Sequence, residues 1–201
     1  MSERKTIRVY IEDARLSYPV LDEPKQIMGK GDTFYQATFL IAPDNPSVAR
    51  LKKAISEVAK SFFDEKVAQS ILTRGDKTPL KKGDDKPNPP AGYEGMYYIS
   101  AKSKRMPDYR DANPKIRLND RDEIRGKFVP GYRVNAYVDI FPYEYREGSA
   151  IISRGVSSGL VSVQYVRRDE TFGGGARLAD DAYPDCSENN SAGYADDDLP
   201  F

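Results

Sequence analysis

Gly131-Tyr132-Arg133-Val134-Asn135-Ala136-Tyr137-Val138-Asp139-Ile140-Phe141 alternates along its length. Val134, Ala136, Val138 and Ile140 fall on one face. Arg133, Asn135, Tyr137 and Asp139 fall on the other. A period of two is the mark of a strand with one face in a core and one toward solvent. The same reading extends to both sides. Over residues 6–16, Ile7, Val9 and Ile11 alternate with Arg8, Tyr10 and Glu12. Thr33–Ile41 is rich in aromatic and β-branched residues, as strands are. Gly95–Arg105 and about Ser158–Arg167 complete a set of five.

One helix stands out among the strands. Asn45 is placed to cap it, and Pro46 suits a first helical position. Val48, Leu51, Ile55, Val58, Ala59 and Phe62 recur at three- and four-residue spacing, with Lys52, Lys53, Glu57 and Lys60 between them. A shorter helix is expected over about Asp64–Leu72. Residues 73–94 are dense in Gly, Pro, Lys and Asp and read as a long loop. Met106–Lys127 reads as a second, basic loop. The expected fold is mainly β with one long helix (α+β). It is an OB-fold five-stranded barrel with the helix inserted after the second strand and with long loops.

Composition removes several chemistries. The chain has 201 residues, one cysteine (Cys186) and no histidine. No internal disulfide can form, and a Ser-His-Asp or Cys-His centre is excluded. A zinc site would need several cysteines. No metal and no cofactor are expected, and no enzyme activity. No apolar run approaches the length of a membrane span, and the first residues lack the apolar segment of a secretory signal. The expected compartment is therefore cytosolic.

The formal net charge of zero hides an asymmetry. Residues 1–178 carry 31 basic and 24 acidic side chains, and residues 179–201 carry seven acids and no Lys or Arg. A basic body with an acidic arm fits a nucleic-acid binder with a separate interaction segment. The expected division is an OB-fold binding domain over 1–178 and a disordered acidic tail for protein interaction over 179–201.

Single-stranded nucleic acid asks a protein for cations along its backbone path and flat rings for its bases. The chain has 14 Tyr, 8 Phe and no Trp. Many tyrosines stand beside Lys or Arg: Tyr18 near Arg15, Tyr98 near Lys102, and Tyr143 and Tyr145 near Arg146. On the strand Gly95–Arg105, Tyr98, Ser100, Lys102 and Lys104 share a face. On Gly131–Phe141, Arg133 and Tyr137 point away from the aliphatic side. The DNA-contacting set expected on these grounds is Arg15, Tyr18, Tyr98, Lys102, Lys104, Arg105, Tyr109, Arg110, Arg133 and Tyr137.

Four stretches carry a family resemblance. They are Arg15-Leu16-Ser17-Tyr18-Pro19, Tyr35-Gln36-Ala37-Thr38-Phe39-Leu40-Ile41, Tyr97-Tyr98-Ile99-Ser100-Ala101-Lys102-Ser103-Lys104-Arg105, and Arg154–Arg168. In this order the chain resembles phage single-stranded DNA-binding proteins with an OB-fold core. The resemblance implies sequence-independent binding of single-stranded DNA in phage replication or recombination, inside the cytoplasm of the infected bacterial host. Lys102, Lys104 and Arg105 fall on that family's Ala-Lys-Ser-Lys pattern.

The last six residues, Asp196-Asp197-Asp198-Leu199-Pro200-Phe201, are similar to the acidic tip of bacterial single-stranded DNA-binding proteins. The resemblance implies recruitment of replication and recombination proteins. Phe201 would fill an apolar pocket on a partner, and the aspartates would meet its Lys and Arg. A second expected role is competition with DNA for the body's own basic groove.

The rival class is a metal-dependent nuclease. Asp108, Asp111, Asp120, Asp122 and Glu123 gather acids in one region, and carboxylates hold magnesium. They alternate with Arg110, Lys115, Arg117, Arg121 and Arg125, which reads instead as a salt-bridged loop.

Overall fold

The computed structural model describes residues 4–26 and 31–172. The first strand, β1 (Ile7–Gln26), is twenty residues long and serves two neighbours. Its first half pairs antiparallel with β6 (Arg133–Glu147), from Ile7↔Ile140 to Arg15↔Arg133. Its second half pairs antiparallel with β2 (Thr33–Ile41), from Arg15↔Leu40 to Gln26↔Thr33. A strand can serve two sheets only by bending. Asp13 and Tyr18 take positive φ (46° and 44°), and the registers shift beside both. Such bulges sharpen the twist and reverse the inside–outside alternation. Ile11 and Ala14, three apart, are both buried. The alternation seen over 6–16 therefore ends before the strand does.

β4 (Tyr97–Ser103) pairs antiparallel with β2, and β7 (Ala150–Arg167) pairs antiparallel with β6. β4 and β7 meet in parallel at Lys102↔Gly159. That contact closes the circuit β1-β2-β4-β7-β6 into a five-stranded, OB-like barrel. Ile11, Leu16, Phe39, Ile99, Val138 and Ile140 fill it and are buried. The expected inward set of β6 is the observed one: Val134, Ala136, Val138 and Ile140 are buried.

Helix α1 (Pro46–Phe62) lies against β1 and β6 through Val48, Leu51, Ile55 and Val58. Its start is fixed by Asn45, whose side-chain oxygen accepts from the Ser47 amide at 2.8 Å. The same side chain donates to the Glu12 carbonyl at 2.9 Å, so the cap also ties the helix to the bulge of β1. Helix α2 (Glu65–Arg74) is capped by Asp64 and ends at Gly75 in the left-handed region.

The two expected loops hold more structure than their composition indicates. Residues 73–94 contain β3 (Leu80–Lys82), which pairs with β4, and a 3-10 turn at Gly83–Asp85. Residues 106–127 contain β5 (Asp108–Arg110), parallel to β7, and helix α3 (Arg121–Lys127). These pieces are three to seven residues long, too short to show a period. β6 and β7 also run past their expected ends into a hairpin that turns at Gly148. Among the described residues no helix is long and apolar enough to cross a membrane.

Replacing Asn45 with Ala removes both bonds and is expected to lower unfolding free energy by about 1–2 kcal/mol in denaturant titrations. Asn45→Asp keeps the cap but not the bond to Glu12, and should recover part of the loss.

Candidate nucleic-acid interface

The seam that closes the barrel is also the floor of a cleft. Along β4, Ile99 and Ala101 point inward and are buried. Tyr98, Ser100 and Lys102 point outward, as strand geometry dictates. The Ser158 hydroxyl donates to the Ser100 carbonyl at 2.7 Å, and the Ser100 and Thr38 hydroxyls lie 2.6 Å apart. These bonds fix the floor.

The cleft is about 390 Å³. Tyr98 and Lys102 enter it from β4, and Tyr143 and Tyr145 from β6. Lys77 enters from the segment joining α2 to β3, and Lys81 from β3 itself. That segment is locked to β7: the Val156 amide donates to the Lys77 carbonyl at 2.9 Å. The approach requires Gly155, because a Cβ there would lie 2.5 Å from the same carbonyl oxygen.

The electrostatics favour an anion. Three lysines and one acid, Asp76, line the cleft. Among the described residues, Lys77, Lys81 and Lys102 make no ion pair. The Tyr143 and Tyr145 rings lie 5.3 Å apart, and Tyr145 is 66% exposed. Tyr98 stands 5.3 Å from the Tyr93 ring, and the Lys86 ammonium lies 4.9 Å from Tyr98 and 5.1 Å from Tyr93. Burial, and secondarily Asp85, raises the Tyr98 pKa; burial raises that of Tyr93. Both rings therefore stay neutral at ordinary pH and can sit beside phosphates without repulsion.

The ten residues expected from sequence separate into groups. Tyr98 and Lys102 line the cleft. Lys104 lies beside it through Phe34, whose ring is 5.8 Å from the Lys104 and 4.8 Å from the Lys102 ammonium; Lys104 also pairs with Asp32. Tyr18 is exposed and connects to Tyr98 through Tyr93, 6.5 Å away. Arg105 is exposed just beyond β4. Tyr137 stands elsewhere, tilted over Tyr10 at 5.1 Å on the β1–β6 wall.

The other four expected residues lie outside the lining of the cleft. Tyr109 is 1% exposed, packs on Phe128 and has no hydrogen-bond partner for its hydroxyl, so its ring faces the core and not a base. Burial pushes its pKa far up. Arg15 donates to the Gly131 and Glu170 carbonyls and sits 4.2 Å from the Phe172 ring centre, pinning the chain after β7. Arg133 pairs with Asp169 at 2.6 Å and donates to the Asp13 carbonyl at 3.0 Å, bracing the first bulge of β1. Arg110 is held by Asp108 at 2.7 Å and by the Pro114 carbonyl. Each cation is committed to a fixed partner.

Four of the five acids of the rival reading are committed too. Asp108 faces Arg110 and Arg117, Asp111 faces Lys127, and Asp122 faces Arg125. Asp120 accepts from the Asp122 and Glu123 amides as the cap of α3. Among the described residues no three acids converge as metal ligands. The tail residues Asp196–Phe201 lie outside the described residues.

Sequence reading left out Phe34, Lys77, Lys81, Lys86, Tyr93, Tyr143 and Tyr145 from the expected set. The spacing Tyr143-x-Tyr145 on a strand was the available signal for the last pair. The lysines had none, since their place depends on how residues 76–86 fold over β4.

The family model described as "Enterobacter phage Enc34, ssDNA-binding protein" matches residues 7–193. "Putative protein p50" of Acyrthosiphon pisum secondary endosymbiont phage 1 is 31% identical over 186 residues, covering 90% of this chain and 95% of that one. The solved single-stranded DNA-binding protein of bacteriophage Enc34, in complex with ssDNA, superposes with a TM-score of 0.66 at 24% identity. That match covers 83% of this chain and 89% of the other. The bacteriophage T7 single-stranded DNA-binding protein gp2.5 gives 0.58 at 14%, over 91% and 100% of the two chains. The chain belongs to the Enc34 single-stranded DNA-binding protein family.

Arg133 holds the Asp169 carboxyl below the usual carboxylate range. A depressed folded pKa contributes stability above the unfolded value, about 3.9, that is lost as pH falls through the lower folded one. Asp169→Asn should therefore destabilise the protein at neutral pH. It should also flatten the acid limb of its stability profile, read by denaturant unfolding between about pH 2 and 6.

Proposed function

We propose, from this membership and from the cleft, that the protein binds single-stranded DNA without regard to base sequence. The observation that carries the reading is convergence. Tyr98, Lys102, Tyr143, Tyr145, Lys77 and Lys81 come from three separate stretches of chain and meet over the β4–β7 seam. Phosphates would lie against the unpaired lysines, and bases would stack on the tyrosines. Any base has a flat face, so stacking is indifferent to sequence. A lysine is a mobile point charge that accepts a phosphate from many directions, which suits a strand of variable shape. Binding of this kind needs no catalysis.

We also propose that the body over 1–178 acts in replication or recombination of a phage genome in the cytoplasm of the infected host. The tail over 179–201 would recruit partner proteins and compete with DNA for the cleft. Support for the tail's roles is its sequence alone: seven acids without a base, ending on Leu199-Pro200-Phe201.

Tyr98→Ala and Tyr143→Ala should each weaken oligonucleotide binding by about 1–3 kcal/mol per base they engage, measured by fluorescence anisotropy. Lys102→Ala should reduce the slope of log affinity against log salt by about 0.7. Tyr109→Phe, with the ring kept in the core, should bind like the unmodified protein. A salt slope near zero for the unmodified protein would refute the reading.

Deleting Asp196–Phe201 should tighten DNA binding at low salt, with the difference fading as salt screens the acids. Unchanged affinity at low salt would argue against competition by the tail.

A further inference from the structure

A second and larger cleft, about 920 Å³, adjoins the first on the helix side of β4. The two share Asp76, Thr78, Lys81 and Tyr98 in their walls. The floor of the second is apolar, formed by Ile55 of α1, Leu72 of α2 and Leu80 of β3, with the Tyr97 ring at its side. Its rim is basic. Lys52, Arg74, Lys81, Lys82 and Lys86 line it, against the two acids Asp76 and Asp85. Arg74 is engaged by Asp76. Among the described residues none of the four lysines makes an ion pair.

We propose that the bound DNA strand does not end at Tyr98 but turns past it into this second cleft. The inference rests on the functional reading above and extends its path. An apolar floor with a cationic rim matches one ligand chemistry in particular: a base lying flat on aliphatic and aromatic carbon while its phosphate stays at the wet edge. Lys86 stands at the junction, with its ammonium over the Tyr98 ring that both clefts share. It is placed to hold the phosphate between a base on Tyr98 and the next base inward. Lys52 already sits over the Tyr97 ring, 4.5 Å from its centre, and meets the Tyr97 hydroxyl at 3.1 Å. A base entering the cleft finds a ring and a cation already side by side. Apart from Tyr97 of β4, the residues that extend the path come from α1, α2, β3 and the turn that follows it, which are added around the barrel.

The test is a length series. Oligothymidylates of about 4 to 16 nucleotides, the span of site sizes for one such barrel, are titrated against the full chain at fixed low salt. The variants are Lys52→Glu/Lys82→Glu, whose side chains line only the second cleft. Both are on the surface, so the fold should survive; circular dichroism and thermal unfolding check that it does. The expected result is that the unmodified protein gains affinity with length to a plateau. In the variant the plateau should arrive at a shorter length, and the longest oligomers should bind at least tenfold more weakly. The shortest should bind within twofold of the unmodified protein. As a second readout, a photoreactive base at one end of a long oligomer should cross-link to the peptide carrying Tyr97, and should lose that cross-link in the variant. An equal loss at every length would mean a general charge effect, and no loss would mean that the strand stops at Tyr98. Either overturns the extension while leaving the functional reading in place. Failure of the unmodified protein to bind any oligomer overturns both.

Discussion

The contact between β4 and β7 is small, one parallel bridge at Lys102↔Gly159 with the Ser158-to-Ser100 hydrogen bond beside it. The other pairings of the barrel follow from long antiparallel ladders. This one joins strands that belong to opposite ends of the ladder order, and it turns an open sheet into a closed surface without free edges there. Closure gives the barrel an inside, which Ile11, Phe39, Ile99 and Val138 fill. It also gives β4 an outside whose residues face the β6–β7 hairpin. Without it, Tyr98 and Lys102 would share a strand face but have no opposing wall.

That wall depends in turn on a close backbone approach. The Lys77 carbonyl reaches the Val156 amide only because position 155 lacks a side chain. The lock holds Lys77 over the seam cleft, which Lys81 of β3 enters from beside its pairing partner Tyr98. The cleft is built from a hydrogen bond, a missing methyl group and the lysines beside them.

Arginine and lysine divide the work. Arg15, Arg110 and Arg133 are spent on carbonyls and carboxylates at bulges and chain crossings, where a planar fork with several donors can satisfy two partners at once. The cleft is left to lysines that make no ion pair among the described residues. Net charge alone would not separate these uses. A paired arginine and an unpaired lysine count the same in the excess of basic over acidic residues across 1–178, although their surroundings differ.

Much of the barrel was legible because its strands obey simple periods. β2 was found at its observed bounds, Thr33–Ile41, and the shared outer face of Tyr98, Ser100 and Lys102 on β4 and the inward face of β6 were read correctly. The cap at Asn45 and the apolar face of α1 followed from residue chemistry. The short pieces β3, β5 and α3 were not legible, since three to seven residues cannot display a period. The far half of β1 was hidden by its own bulges, which shift the alternation at Asp13 and Tyr18. In the site, Tyr98 and Lys102 were legible as outward residues on one strand. Arg15, Arg133 and Tyr109 looked equivalent to them in sequence and are not, because a tyrosine beside an arginine reads the same whether it faces solvent or packs on Phe128.

The sequence by itself therefore determined the strands, the long helix, the charge asymmetry between body and tail and the absence of histidine chemistry. These are properties of local spacing and composition, and each residue carries them wherever it stands. Only the tertiary structure decided which cations are free and which rings face outward. Whether a lysine has a partner depends on residues far away in the chain, as Lys104 and Asp32 show across 72 positions of sequence. Burial and pairing arise from folding, and the cleft is lined by lysines that folding leaves without ion pairs among the described residues.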